Sequence, residues 1–275
     1  MLLQRVLTAI VLIPLTLAGI YLLPDTGFRL FVGVITVLAA WEWANLSGYK
    51  NQFSRVAIAA VVAAVLVLVH TFIDVNSIVW PILSLITLPW WLYAASAVVR
   101  YPDSARWLCN RALTLLMLVP VLIGCWVGLV WLKNQPQSAL LLTWLMLLVW
   151  GADIGAYFAG RAFGKKKLAP QVSPGKTWAG VYGGVVTSMV ISIVIALVFL
   201  TGHSLKGWLW LLLISSALIG FSVMGDLFES LLKRHRGIKD SSALLPGHGG
   251  VLDRTDSLCA ATPVFVLLWF VLSVI

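Results

Sequence analysis

Of the 275 residues, 61% are apolar and only 11% are charged, whereas a soluble domain of this size carries about 25% charged residues. That leaves too little polar surface to cover a globule in water, so lipid is the solvent, and the 14 Trp residues suit the boundary between bilayer and water. A net charge of +9 then points to membrane topology and to anionic partners, headgroups or phosphorylated substrates, rather than to nucleic acid.

About 20 mainly apolar residues are needed to cross the hydrocarbon core. The first such run follows Arg5 and extends from Val6 to Leu23. It is longer than a signal-peptide core and lacks a small-x-small cleavage site, so it reads as a transmembrane helix. Eight more follow, over 28–46, 56–73, 78–99, 112–132, 138–158, 179–200, 207–227 and 257–275. The expected fold is therefore all-α, a polytopic transmembrane helix bundle of about nine spans. In the second span, Glu42 between Trp41 and Trp43 reads as a buried hydrogen-bonding or packing residue rather than a catalyst. Cys109, Cys125 and Cys259 form no CxxC pair, which argues against a disulfide framework and against a zinc site.

With the N-terminus in the cytoplasm, sixteen of the nineteen Lys and Arg residues fall on the cytoplasmic side, leaving Arg29, Lys133 and Lys206 opposite. Most connections are short. Two are not, 159–178 and 228–256, and both fall on the cytoplasmic side, where loops of that length carry function. The chain thus divides into N-terminal membrane helices over 1–135, which supply a lipid groove, and a catalytic region over 136–275 that carries both loops.

Ionisable groups within or at the ends of spans are functional candidates. Asp153 lies near the cytoplasmic end of the sixth span, Asp226 and Glu229 at that of the eighth, and Asp253 and Asp256 open the ninth. The last two are spaced i, i+3 and share one helical face. Oxygen-only ligands of this kind suit a hard cation such as Mg²⁺. The structural alternatives are a first-turn role beside the helix dipole for Asp253 and Asp256, and a partner for Arg161 or a lysine in the case of Asp153.

In the first loop, Lys165–Lys167 reads as a cytoplasmic anchor beside anionic lipid. The segment Ser173-Pro-Gly-Lys-Thr177 places a hydroxyl, a glycine turn and Lys176 at the mouth of a helix, where free N–H groups bind phosphate. It is not a Walker A loop, because Pro170 stands where that motif requires glycine. The second loop combines five basic residues, His248, a glycine pair and two aspartates, a mixture suited to holding a polyphosphate with its metal. His248 reads as a phosphate donor, a general acid or base, or a turn residue; His235 reads as a solvent or headgroup contact, and His70 and His203 carry no assigned role.

The second loop resembles the signature of the phosphatidate cytidylyltransferases, or CDP-diacylglycerol synthases. The resemblance rests on Ser230, Leu232, Lys233, Arg234, Lys239, Asp240, Ser242, Leu245, Pro246, His248, Gly249, Gly250, Val251, Asp253, Arg254, Thr255 and Asp256. It extends upstream through Asp226, the 173–177 segment and Asp153, while the N-terminal half agrees only in being hydrophobic. The family's first loop commonly reads SPKKTxEG, and here Gly175 and Ala179 replace a lysine and a glutamate.

The resemblance implies transfer of CMP from CTP to phosphatidic acid in phospholipid biosynthesis, with Mg²⁺ as cofactor and room for a second cation. It also implies a homodimer in the bacterial inner membrane. On that reading Asp226, Asp253 and Asp256 hold the metal, Asp153 is a further candidate ligand, and Lys239 and His248 act beside the three aspartates in catalysis. Ser173, Lys176, Thr177, Lys233, Arg234, Arg254, Gly249 and Gly250 would bind substrate. Two other readings stand beside it: a CTP-dependent polyprenol or lipid kinase, which would transfer the γ-phosphoryl group, and a cation-coupled transporter, against which the carboxylates cluster on one face.

Overall fold

The computed structural model describes residues 2–74, 77–199 and 205–274; His203 lies outside the described residues, as do the side chains of Arg5 and Lys206. Helices dominate in chain order: α1 (Leu2–Leu22), α2 (Asp25–Leu46), α3 (Gln52–Phe72), α4 (Val79–Val99), the short α5 (Ala105–Leu108) and α6 (Arg111–Leu116). A π-turn over Val119–Ile123 then leads into α7 (Gly124–Lys133). The wider winding coincides with Pro120, whose missing N–H removes a helical hydrogen bond. Next come α8 (Ser138–Phe163), a hairpin of β1 (Lys167–Ala169) and β2 (Ser173–Thr177), α9 (Trp178–Phe199), α10 (Leu205–Arg236) and α11 (Leu252–Val274).

Among the described residues, seven helices are long and apolar enough to cross a membrane. The fold is an all-α membrane bundle, and its layering follows from which faces are covered. Every residue of α7 is buried, and this helix touches α2, α4, α8 and α11. By contrast α3 and α9 turn rows of Val and Leu outward, Val61, Val67, Val186 and Leu197 among them, as helices facing hydrocarbon do. The core also holds large aromatic rings: Phe228 of α10 sits among Trp43, Trp90 and Trp91, and Trp144 meets Phe265 edge-on.

Of the boundaries that differ from the sequence expectation, two matter most for the site, besides the start of α11 at Leu252 instead of 257. Helix α10 runs on through Arg236, nine residues beyond the expected end at 227. Its charged last turns lower the hydropathy, but Leu227, Phe228, Leu231 and Leu232 keep the helical repeat and are all buried. It stops at Gly237, which adopts φ +72°. There the N–H of Ile238 reaches the Lys233 carbonyl and that of Gly237 the Arg234 carbonyl, the glycine-terminated helix ending. The second loop is therefore 237–251. In the first loop, α8 extends to Phe163 and the remainder folds into the antiparallel hairpin, pairing Lys167 with Thr177 and Ala169 with Ser173.

Candidate active site

Four elements bring the candidate residues together. Strand β2 runs straight into α9, and the Thr177 hydroxyl oxygen caps that helix by accepting from the Gly180 N–H at 3.1 Å. This fixes Lys176, whose ammonium lies 2.7 Å from an Asp226 carboxylate oxygen on α10. The other Asp226 oxygen accepts from the Ser230 hydroxyl at 3.2 Å. Helices α10 and α11 cross closely here, since a side chain at Gly225 would collide with the Asp256 carbonyl. Asp256 consequently lies within electrostatic reach of Asp226 and Lys176, and Asp153 of α8 within reach of Asp226, Lys176 and Arg254. Arg161 turns instead to the Tyr157 hydroxyl, at 3.2 Å.

Asp253 is placed differently from Asp226 and Asp256. One of its oxygens accepts from Lys233 Nζ at 2.6 Å. The other accepts from the Ser241 N–H and hydroxyl, at 2.9 and 3.0 Å, and from the Gly250 N–H at 2.7 Å. Both carboxylate oxygens are thus engaged inside the protein. Lys233, expected at a phosphate, also bonds Glu229 at 2.5 Å and so lies between two acids. Among the described residues, no group of three or more His, Cys, Asp or Glu side chains is placed to hold a metal ion.

The remaining basic residues face outward. Arg234 is exposed and donates Nε–H to the Val172 carbonyl at 3.1 Å, tying α10 to the turn of the hairpin. Arg254 is exposed and donates Nε–H to the His248 carbonyl at 3.1 Å. Lys239 is exposed, Ser173 half-buried, Gly250 buried, and Gly249 takes φ +81° where its carbonyl closes a turn with the Leu245 N–H. Arg234 thus reaches the hairpin turn and Arg254 lies within electrostatic reach of Asp153, while Lys165, Lys166 and Lys239 are exposed on the two loops.

Two residues with structural work at the site, Ser241 and Glu42, were not among the functional candidates, and Glu229, a candidate by its place at the end of its span, serves as the partner of Lys233. The i, i+4 spacing of Glu229 and Lys233 was a readable signal. Glu42 is the buried hydrogen-bonding residue that its place between Trp41 and Trp43 suggested, but its partners are remote in sequence and neither it nor Ser241 announced them.

Residues 3–272 match the cytidylyltransferase family. The phosphatidate cytidylyltransferase of Pseudomonas aeruginosa is 52% identical to this chain, over 98% of it and 97% of the relative. That of Haemophilus influenzae is 40% identical, over 98% and 99%. The Staphylococcus haemolyticus enzyme is 32% identical, over 96% and 97%. With the match spanning both halves of the bundle and both loops, this chain belongs to the cytidylyltransferase family.

Proposed function

We propose that this protein transfers CMP from CTP to phosphatidate, giving CDP-diacylglycerol and pyrophosphate. A phosphate oxygen of the lipid forms a bond to the α-phosphorus of CTP, the α–β bridging bond breaks, and its electrons leave with pyrophosphate. Such transfers need little covalent help from the protein, so positioning and charge neutralisation dominate. The observation that carries the reading is the Lys176–Asp226 contact, which ties the hairpin to α10 at one point beside Asp153 and Asp256. Relatives that match over nearly their whole length carry the name of this activity.

On this reading Lys176, Arg234, Lys239 and Arg254 receive phosphate oxygens: Lys176 pairs with Asp226, Arg234 reaches the hairpin turn, Arg254 lies within electrostatic reach of Asp153, and Lys239 is exposed on the second loop. With no three-carboxylate cluster among the described residues, Mg²⁺ would draw on two oxygen donors, Asp226 and Asp256, and take its remaining ligands from substrate phosphate and water, as this ion commonly does. Bound there, the ion would supply neutralisation of phosphate charge. Asp253 does not fit that set, because its oxygens are taken by Lys233, Ser241 and Gly250; its part is to hold the second loop. Nine spans, a cytoplasmic N-terminus and site, and a homodimer belong to the same reading. The distribution of Lys and Arg supports the orientation, and α1 and α11 supply the two further spans.

The test is incubation of purified protein with Mg²⁺, phosphatidic acid and CTP labelled at the α- or γ-phosphate. Label from the α-position is expected in lipid, with pyrophosphate in water. The γ-label in lipid would make the protein a kinase, and neither label in lipid would overturn the assignment.

A further inference from the structure

Glu42 sits near the cytoplasmic end of α2, completely shielded from solvent, and its carboxylate points at the second loop. One oxygen accepts from the Val251 N–H at 2.9 Å and from the Ser242 hydroxyl. The other accepts from the Leu252 N–H at 2.6 Å and from the Ser241 hydroxyl at 3.0 Å. Leu252 opens α11, so these N–H groups belong to the start of that helix, which has no internal acceptors for them. A carboxylate there also meets the positive end of the helix dipole. In effect α11 is capped by a side chain about two hundred residues away in the chain.

The arrangement is closed around that carboxylate. The Ser241 hydroxyl has one proton and stands 3.0 Å from both Glu42 and Asp253, linking the two acids. Gly250 leaves no room for a side chain, because a Cβ there would collide with Ser241 Oγ and with the Glu42 carboxylate. Arg55, the neighbouring base, stacks on the Trp41 ring and donates to the Trp41 carbonyl. Two further contacts tie the loop and the helix end before it to the N-terminal helices: Arg236 at the end of α10 donates to the Asn45 carbonyl at 3.0 Å, and Thr8 to the Pro246 carbonyl at 2.8 Å.

What hangs from this contact is the part of the chain that carries Asp253, Arg254 and Asp256 within one helical turn. We infer that Glu42 is a positioning residue for the reaction: it fixes the start of α11 so that Asp256 and Arg254 meet Asp226 and Lys176. The inference rests on the activity proposed above. It gives the N-terminal half of the bundle a direct part in assembling the site, beyond supplying apolar helices.

Glu42→Gln keeps one acceptor oxygen and turns the other into a donor facing groups that themselves donate. Displacements of the order of an ångström at a reacting centre lower rates by about a hundredfold, so a fall in kcat of about ten- to a hundredfold is expected, with KM for both substrates within about threefold. Ser242→Ala removes one donor and leaves the carboxylate in place, with an expected loss of about threefold in kcat. In the double variant the two losses should fail to add, as they do for groups in one hydrogen-bonded unit. A purely structural role would instead lower the melting temperature while leaving kcat per folded molecule within twofold of wild type, and that result overturns the inference. Full additivity of the two losses overturns it as well. Should Glu42→Gln not fold, Ser242→Ala decides: unchanged kcat is fatal.

Hydrogen exchange reads the loop without reference to turnover. Amides of 250–256 should exchange at least about tenfold faster in Ser242→Ala and Glu42→Gln than in wild type, as loss of local protection requires. Unchanged exchange overturns the positional account whatever the rates show. A wild-type preparation that moves neither phosphate label into lipid counts against the proposed activity, and exchange then judges the role of Glu42 by itself.

Discussion

The two long loops both contain glycine and proline, but 164–177 carries four lysines and no acid whereas 237–251 carries one lysine and one aspartate, and the protein holds them in opposite ways. Residues 237–251 are drawn inward. Two buried carboxylates, Glu42 and Asp253, accept from Ser241, Ser242, Gly250, Val251 and Leu252, so the loop's polar groups are spent on the protein itself. The hairpin over 167–177 is held by its own ladder, by the Thr177 cap, by Arg234 at Val172 and by the Lys176–Asp226 ion pair. Around Gly175 nothing lies within 4 Å of where a side chain would begin. The difference shows that glycine and proline content does not decide how fixed a loop is. What decides it is whether buried acceptors stand opposite its N–H groups, because those must be satisfied once water is excluded. One loop is anchored on buried carboxylates; the other is tied to α10 by Lys176 at Asp226 and by Arg234 at Val172.

The sharpest way to break that comparison is at Asp256, just past the anchored loop but with its carboxylate bonded only locally, to the Ser257 N–H at 2.7 Å. Asp256→Asn should lower turnover by about a hundred- to a thousandfold, the scale for losing one electrostatic group aimed at developing charge, while the melting temperature changes little. Transfer of α-label into lipid measures it, and activity within tenfold of wild type would remove Asp256 from the site.

Lys233 should behave in the reverse sense. It is the cation between Glu229 and Asp253, both buried, and removing it strands two acids. Lys233→Met should therefore cost about 3–5 kcal/mol of stability, as breaking a buried ion pair does, and its melting temperature should fall well below that of Asp256→Asn. A stable Lys233→Met protein that has lost only CTP affinity would restore the expectation that this lysine meets phosphate. On the other loop, Lys176→Ala breaks a partly exposed pair worth about 0–1 kcal/mol, so stability should barely move. Its effect should appear as a rise of about tenfold in KM for CTP, the size of one lost charged contact to phosphate.

How far the sequence foretold this depends on the range of each interaction. Local signals were legible: the span positions of α2 to α10, the face shared by Asp253 and Asp256, and a helix beginning just after Lys176. Boundaries were blurred where two signals conflicted. The basic end of α10 masked an apolar repeat that Leu231 and Leu232 continue. In the first loop, Pro174 and Gly175 read as a turn, whereas they lie within β2 and the chain reverses before them. Among the site residues, spacing gathered Asp226, Asp253 and Asp256 as one set but could not show that Asp253 faces Lys233 and Ser241. The contact of Glu42 with Val251 and Leu252 spans about two hundred residues, and no pattern within either segment announces the other.

The smallest expected effect is the most discriminating between the loops. Gly175 stands where the family commonly has lysine, its φ is outside the left-handed region, and the space around it is open. Gly175→Ala should therefore fold and turn over as wild type does, with a stability change within about 0.5 kcal/mol, as for surface substitutions free of backbone strain. Gly250→Ala, the same added methyl group on the other loop, would drive into Ser241 and Glu42 and should lower kcat and melting temperature together. Measured side by side, the pair asks whether the two loops differ in packing as described. Equal tolerance would mean that the second loop yields as readily as the first, and its carboxylate anchors would lose their claim to fix the site. A large loss for Gly175→Ala would mean that the open side of the hairpin closes on substrate, so that glycine there serves close approach of a phosphate instead of marking empty space.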